Sequence, residues 1–193
     1  MPEPTPWWLD LIKVVGAGLF AAFATHFLTG WREAKKSEAN ARHLALQISV
    51  ALERFAIECA DRVGDTEMSV SSGGHAGKAH LSLPTLAAFP ADGAWGSLES
   101  SLAARALAMP NELLLADQKL SFEWEISDAD DVARECARQA ALHGARAFEL
   151  AGDLRSRYQL PSFDPTKSAW DVKAYLKRKR IEAEAIWKRQ RES

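Results

Sequence analysis

Apolar positions along the chain fall into helical repeats separated by polar, glycine- and proline-rich stretches. Leu44, Ile48, Leu52, Phe55, Cys59 and Val63 recur at steps of three and four, which marks the buried face of an amphipathic helix over 33–64. Gly64 supplies its stop signal. Leu98, Leu102, Ala106 and Met109 place a short helix at 97–109, and Pro110 is expected to end it. The run from 112 to 126 is ambiguous: its first half suits a helix to about Leu120, while LSFEWEI alternates as an extended segment would. A second long helix is predicted over 130–158, with Val132, Cys136, Ala140, His143, Ala147, Leu150, Leu154 and Tyr158 as its seam. Ser127 or Asp128 can cap it, and Asp130 and Asp131 suit its positive end. A last helix over 170–191 carries the poorer stripe Val172, Leu176, Ile181, Ala185 and Ile186.

Between the first two helical stretches, 65–96 breaks the pattern. It is polar and glycine-rich, then briefly alternating, then proline-bearing. An irregular loop or a short hairpin near 79–83 fits it. Leu81, Leu83, Leu86, Phe89 and Trp95 are too apolar for a free linker, so the segment is expected to pack partly on the helices. No strand–helix alternation occurs, which argues against doubly wound and barrel enzyme folds.

The N-terminal pattern is different in kind. From Val14 to Trp31 there is no Lys, Arg, Asp or Glu. A helix over 9–31 would be roughly 34 Å long, enough for a hydrocarbon core of about 30 Å. Trp7, Trp8 and Trp31 bracket it as an interfacial belt would, and Arg32, Lys35, Lys36 and Arg42 follow it. The expectation is therefore an all-α chain: an N-terminal single transmembrane helix continuing into a cytoplasmic antiparallel helical bundle with an irregular insertion. Its parts would be a short extracytoplasmic tail (1–8), the span (9–31) and a cytoplasmic helical domain (32–193), in a single-pass cell-membrane topology. Gly18, Ala22 and Thr29 share a small-residue face suited to helix pairing. The rival reading is a buried core helix, because glycines and alanines make the span only moderately apolar.

Composition adds limits. There are 24 Lys and Arg against 26 Asp and Glu, a net charge of −2, so no general nucleic-acid affinity is expected. Cys59 and Cys136 form no CxxC pair and fit buried apolar positions. The end from Asp171 onward is the exception, with eight basic and four acidic residues. Its run Lys177, Arg178, Lys179, Arg180, with Lys173 before it, is suited to anionic lipid headgroups or an acidic partner, or else to a solvated face.

Catalytic patterns are thin. SSGGHAGKA at 71–79 lacks the glycine and the Ser or Thr of a phosphate loop and follows a helix rather than a strand. His75, Lys78 and His80 are the loop residues with chemistry to offer, near Asp65 and Glu67, but their spacing does not make a metal site. No Glu-x-x-His supports a di-iron bundle. No cofactor, metal or catalytic residue is assigned. The functional expectation is a membrane-anchored structural or adaptor module with a cytoplasmic protein-interaction surface, whose partners are the bilayer, another protein or a second copy of itself. The alternative is a tethered sensor with a ligand pocket beneath the 65–96 loop, lined by Phe89, Trp95 or Trp124.

Overall fold

The computed structural model describes the backbone of residues 7–91, 93–163 and 170–192, and within these the side chains from Trp31 onward. Four helices follow in order: α1 (Trp7–Ser71), α2 (Ser100–Ile126), α3 (Ala129–Arg157) and α4 (Val172–Glu192), with one 3-10 turn at Trp95–Ser97. No strand occurs among the described residues, so the architecture is an all-α bundle.

The chain divides into two compact units, 1–40 and 41–193. In the first, every described side chain is exposed, and Lys35 Nζ lies 5.3 Å from the Trp31 ring centroid. The second holds the core. From Ala41, α1 buries Leu44, Ile48, Leu52, Phe55, Cys59 and Val63, the whole series that the helical spacing predicts. All eight predicted seam residues of α3 are buried as well. Alanines at 133, 140, 141, 145, 147 and 151 let neighbouring helices come close to α3. At Gly144 the approach is closest, because a Cβ there would lie 2.7 Å from Cys59 Cβ of α1 and 3.1 Å from Leu176 Cδ1 of α4. Asp128 is the N-cap of α3, and its carboxylate accepts the Asp131 N–H at 2.9 Å.

Two buried polar links join α3 to its neighbours. Arg155 donates to both carboxylate oxygens of Glu53 on α1, at 2.5 and 2.8 Å, with both side chains nearly covered. Glu135 accepts from Lys119 of α2 (2.6 Å), from Arg138 and Gln139 of its own helix, and from the Trp187 indole of α4 (3.1 Å). Burial raises the Glu135 carboxyl's pKa, but the hydrogen bonds from Lys119, Gln139 and Trp187 outweigh it and hold the group below its ordinary value.

Several expectations are corrected. Among the described residues no helix is long and apolar enough to cross a membrane, so the transmembrane architecture and the single-pass topology are not retained. From Trp31 on, α1 carries Arg32, Glu33, Lys35, Lys36 and Glu38 within two turns and then turns amphipathic. The rest of the expected span, with Gly18, Ala22 and Thr29, lies outside the residues whose side chains are described. The helix that holds it continues through Gly30 and Gly64 to Ser71. Nor does Pro110 end a helix: it sits exposed inside α2, and the buried series Leu102, Ala106, Met109, Leu113, Ala116 and Leu120 crosses it without a phase break. A proline forfeits one backbone hydrogen bond, and burial on both sides of it outweighs that loss. The helix also continues through LSFEWEI to Ile126, where an extended piece was expected, although none of its residues after Leu120 is buried.

In the segment after α1, the described residues at 72–91 and 93–95 are largely irregular and pack back on the helices. Leu83 is buried, Leu86, Phe89 and Trp95 are partly buried, and Leu81 stays exposed. Its glycine turn is a structural device: Gly73, Gly74 and Gly77 have positive φ, and a Cβ at Gly77 would overlap the Asp65 carbonyl oxygen of α1.

Candidate functional site

The outer face of α2 is where the bundle departs from ordinary surface chemistry. Helix α2 has a buried seam at alternating steps of four and three, and a seam of that width leaves the opposite side to solvent. On that side Leu107, Asn111, Leu114, Leu115, Gln118, Phe122 and Ile126 follow at steps of three and four, with Leu115 beside Leu114, so they line up as one stripe. Its five large apolar members are 53–67 % exposed. The stripe from 107 to 126 is about 28 Å long. Between Ala104 and Phe122 it contains no charged residue, and Glu125 enters it only in the last turn. Scattered exposed leucines are ordinary on a protein surface, whereas a contiguous uncharged row on one helix marks a contact surface. Trp124 is also exposed, on another side of the same helix.

One flank of the stripe is anchored. Lys119 pairs with Glu135, and Glu112 pairs with Arg146 of α3 at 3.2 Å. Lys119 Nζ also lies 5.6 Å from the Trp187 ring centroid. The helix is therefore held along one edge by charge pairs and beneath by its seam.

Three cavities open on the bundle. The first, ≈ 340 Å³, lies where the end of α1 meets α3 and α4; its walls include Val63, Thr66, Ala137, Lys179 and Ile186. The Thr66 hydroxyl beside it is buried without a hydrogen-bond partner. The second, ≈ 350 Å³, adjoins the Glu53–Arg155 pair, and the third, ≈ 580 Å³, lies among Arg105, Arg146 and Arg180 with their acidic partners. None of these three takes a wall from 72–96, and none is lined by Phe89, Trp95 or Trp124. Phe89 and Trp95 instead pack edge to face, with the Trp95 indole donating to the Pro90 carbonyl.

The residues singled out from sequence are dispersed. His80 Nε2 lies 3.0 Å from Asp65 Oδ2, whereas His75 and Lys78 are exposed and Glu67 is taken up by Tyr175 and Lys179. Among the described residues no group of three or more His, Cys, Asp or Glu could hold a metal. The basic run of α4 is engaged within the bundle. Lys179 bridges Glu67 and Glu182, Arg180 bridges Glu149 and Glu184, and Arg178 lies near Glu182 and over the Tyr175 ring. Lys177 is exposed, and Lys173 borders the second cavity. Both cysteines are buried thiols; burial raises Cys59 well above its ordinary value and pushes Cys136 up to about 12.

Sequence reasoning missed the residues of the α2 stripe as a group. The signal was present in their spacing, but it becomes legible only once the helix is carried through Pro110. Comparison with protein-family models, with curated proteins and with solved structures finds no match. The class that the fold defines is an all-α bundle of four helices.

Proposed function

We propose that the chain is a non-catalytic helical interaction module whose docking element is the outer face of α2. One observation carries the reading: Leu107, Leu114, Leu115, Phe122 and Ile126 lie exposed along one uncharged face of a single helix. Covering a Leu, Ile or Phe side chain is worth about 1.5–3 kcal/mol relative to leaving it in water, so a partner that seals the row gains substantially. Asn111 and Gln118, spaced along the row, offer amide groups that fix register without adding charge. The bundle acts as the scaffold that holds this platform straight, which suits a structural or adaptor role.

The test is photo-crosslinking in cells. A photoreactive amino acid is placed at Phe122 or Leu115 of the full chain, and at Asp153, an exposed position of α3, as control. Discrete adducts from 122 and 115 that exceed those from 153 are expected. Equal or absent adducts from the α2 positions contradict the proposal.

A further inference from the structure

We infer that the occupant of the α2 face is a second copy of this chain, packed antiparallel across a two-fold axis between Leu114 and Leu115. The inference rests on the reading of that face as a docking surface and goes on to name what docks there.

The order of side chains along the stripe carries it. Read outward from the Leu114–Leu115 centre, each direction gives a leucine, an amide, and then a large apolar residue. One arm is Leu114, Asn111, Leu107; the other is Leu115, Gln118, Phe122. The spacing of the two arms matches, at steps of three and four. An antiparallel two-fold pairing therefore sets Leu114 beside Leu115 of the other copy, Asn111 beside Gln118 and Leu107 beside Phe122. Like meets like at these three levels, and each amide gains a hydrogen-bonding counterpart rather than facing hydrocarbon. A parallel pairing would meet the apolar condition but would make no use of the mirrored order. An isologous contact is the commonest way for a chain to close on itself, and it requires this kind of self-complementary patch.

Charge agrees with the pairing. Lys119 and Glu112 lie on the same flank of α2, Glu112 two residues before Leu114 and Lys119 four residues after Leu115. Antiparallel packing brings Lys119 of each copy to within two residues of the level of Glu112 of the other, about 3 Å along the axis. Both side chains keep 45 % and 44 % of their surface exposed beside their in-chain partners, so each remains able to reach across. No pair of like charges is opposed within the row from Ala104 to Phe122, because that row has no charge.

Area agrees as well. Five side chains at 53–67 % exposure amount to roughly 600 Å² of apolar surface per copy, about 1,200 Å² for two, which reaches the lower end of stable interfaces before the flanks are added.

Cysteine scanning on the full chain reads the geometry. Cys59 and Cys136 are buried and resist mild oxidation, so an introduced surface thiol reports alone. Leu114→Cys and Leu115→Cys sit at the axis and are expected to give disulfide-linked dimers. Leu107→Cys and Phe122→Cys lie fifteen residues apart, ~22 Å along the helix, far beyond the roughly 7 Å that a disulfide tolerates. Each alone is expected to stay unlinked, and their mixture to link. Light scattering should give twice the 21.2 kDa chain mass, falling to one chain mass in Leu115→Lys with unchanged circular dichroism and, at concentrations that keep single chains apart, unchanged thermal melting.

Self-linking at 107 or 122 would overturn the antiparallel pairing, as would an unmodified protein of single-chain mass. In the latter case maleimide labelling of Leu114→Cys separates the two claims. Fast labelling overturns the second copy and leaves the docking reading standing. Slow labelling in a monomer overturns both, since the face would then be covered by the chain's own residues.

Discussion

Helices α2 and α3 are close in length, 27 and 29 residues, yet they treat their outer surfaces in opposite ways. Helix α3 buries fifteen residues, and the side it leaves to water is charged or small: Asp130, Asp131, Arg134, Arg146, Glu149, Gly152 and Asp153. Helix α2 buries six and leaves Leu107, Leu114, Leu115, Phe122 and Ile126 to water. A core helix spends its apolar side chains inward and its charges on pairing. A helix with a second apolar face has more hydrophobic surface than its own fold can cover. The difference separates what holds the bundle together from what the bundle presents.

That separation is tested by substitutions ordered by expected cost. The largest effect belongs to α3. Arg155→Met removes the cation from Glu53 while leaving the carboxylate buried, and should cost about 3–5 kcal/mol in denaturant unfolding. Next are the two glycines of the same helix. Gly144→Ala forces a Cβ against Cys59 Cβ, a backbone-anchored atom that cannot swing aside, and should cost about 1–3 kcal/mol. Gly152→Ala meets nothing within 4 Å and should stabilise by about 0.5–1 kcal/mol through helix propensity alone. Opposite signs in thermal melts of these two variants are the expected result.

A pH dependence follows from His143 of α3. Burial, aided by the Arg146 cation, holds its imidazole below the ordinary 6.5, and its Nδ1 has no hydrogen-bond partner. The unfolded chain therefore takes up a proton that the folded chain refuses. Stability is full above about pH 6.5 and declines as pH falls below it. Glu135, held below its ordinary value, adds a second decline only at lower pH, below about 4.5. Unfolding curves of His143→Leu should lack the first decline and keep the second.

The smallest effect on stability is expected on α2. Leu115→Lys or Phe122→Lys should change unfolding free energy by less than about 0.5 kcal/mol at protein concentrations that keep single chains apart. A loss of several kcal/mol there would mean that the face belongs to the fold and not to a partner.

The sequence was informative where one periodicity dominates. The α1 series from Leu44 to Val63, the α3 seam and the Asp128 cap all follow from helical spacing and side-chain chemistry, and each is found where that spacing puts it. It was misleading where a local signal competes with tertiary burial. Pro110 reads as a stop and Gly64 as a terminus, but buried residues on both sides keep each helix intact. Phe122, Trp124 and Ile126 alternate in sequence as a strand would, and in a helix that spacing keeps Phe122 and Ile126 on one side and sends Trp124 to another. On α4, Ile181 is exposed where a buried stripe was expected, and Ala183 takes the buried position. The basic run there also reads as a free surface, because its partners Glu67 and Glu149 come from other helices and no linear pattern announces them. Gly144 and Gly152 look alike in sequence, and only the neighbouring helices distinguish them.

The most direct measurement of the central claim is thiol labelling of the full chain in intact cells, with Phe122→Cys on α2 compared against Asp153→Cys on α3. Both side chains are open in the single chain. Slow labelling at 122 that turns fast on dilution of the lysate, with fast labelling at 153 throughout, is the predicted result. Equally fast labelling at both positions in the cell would contradict it.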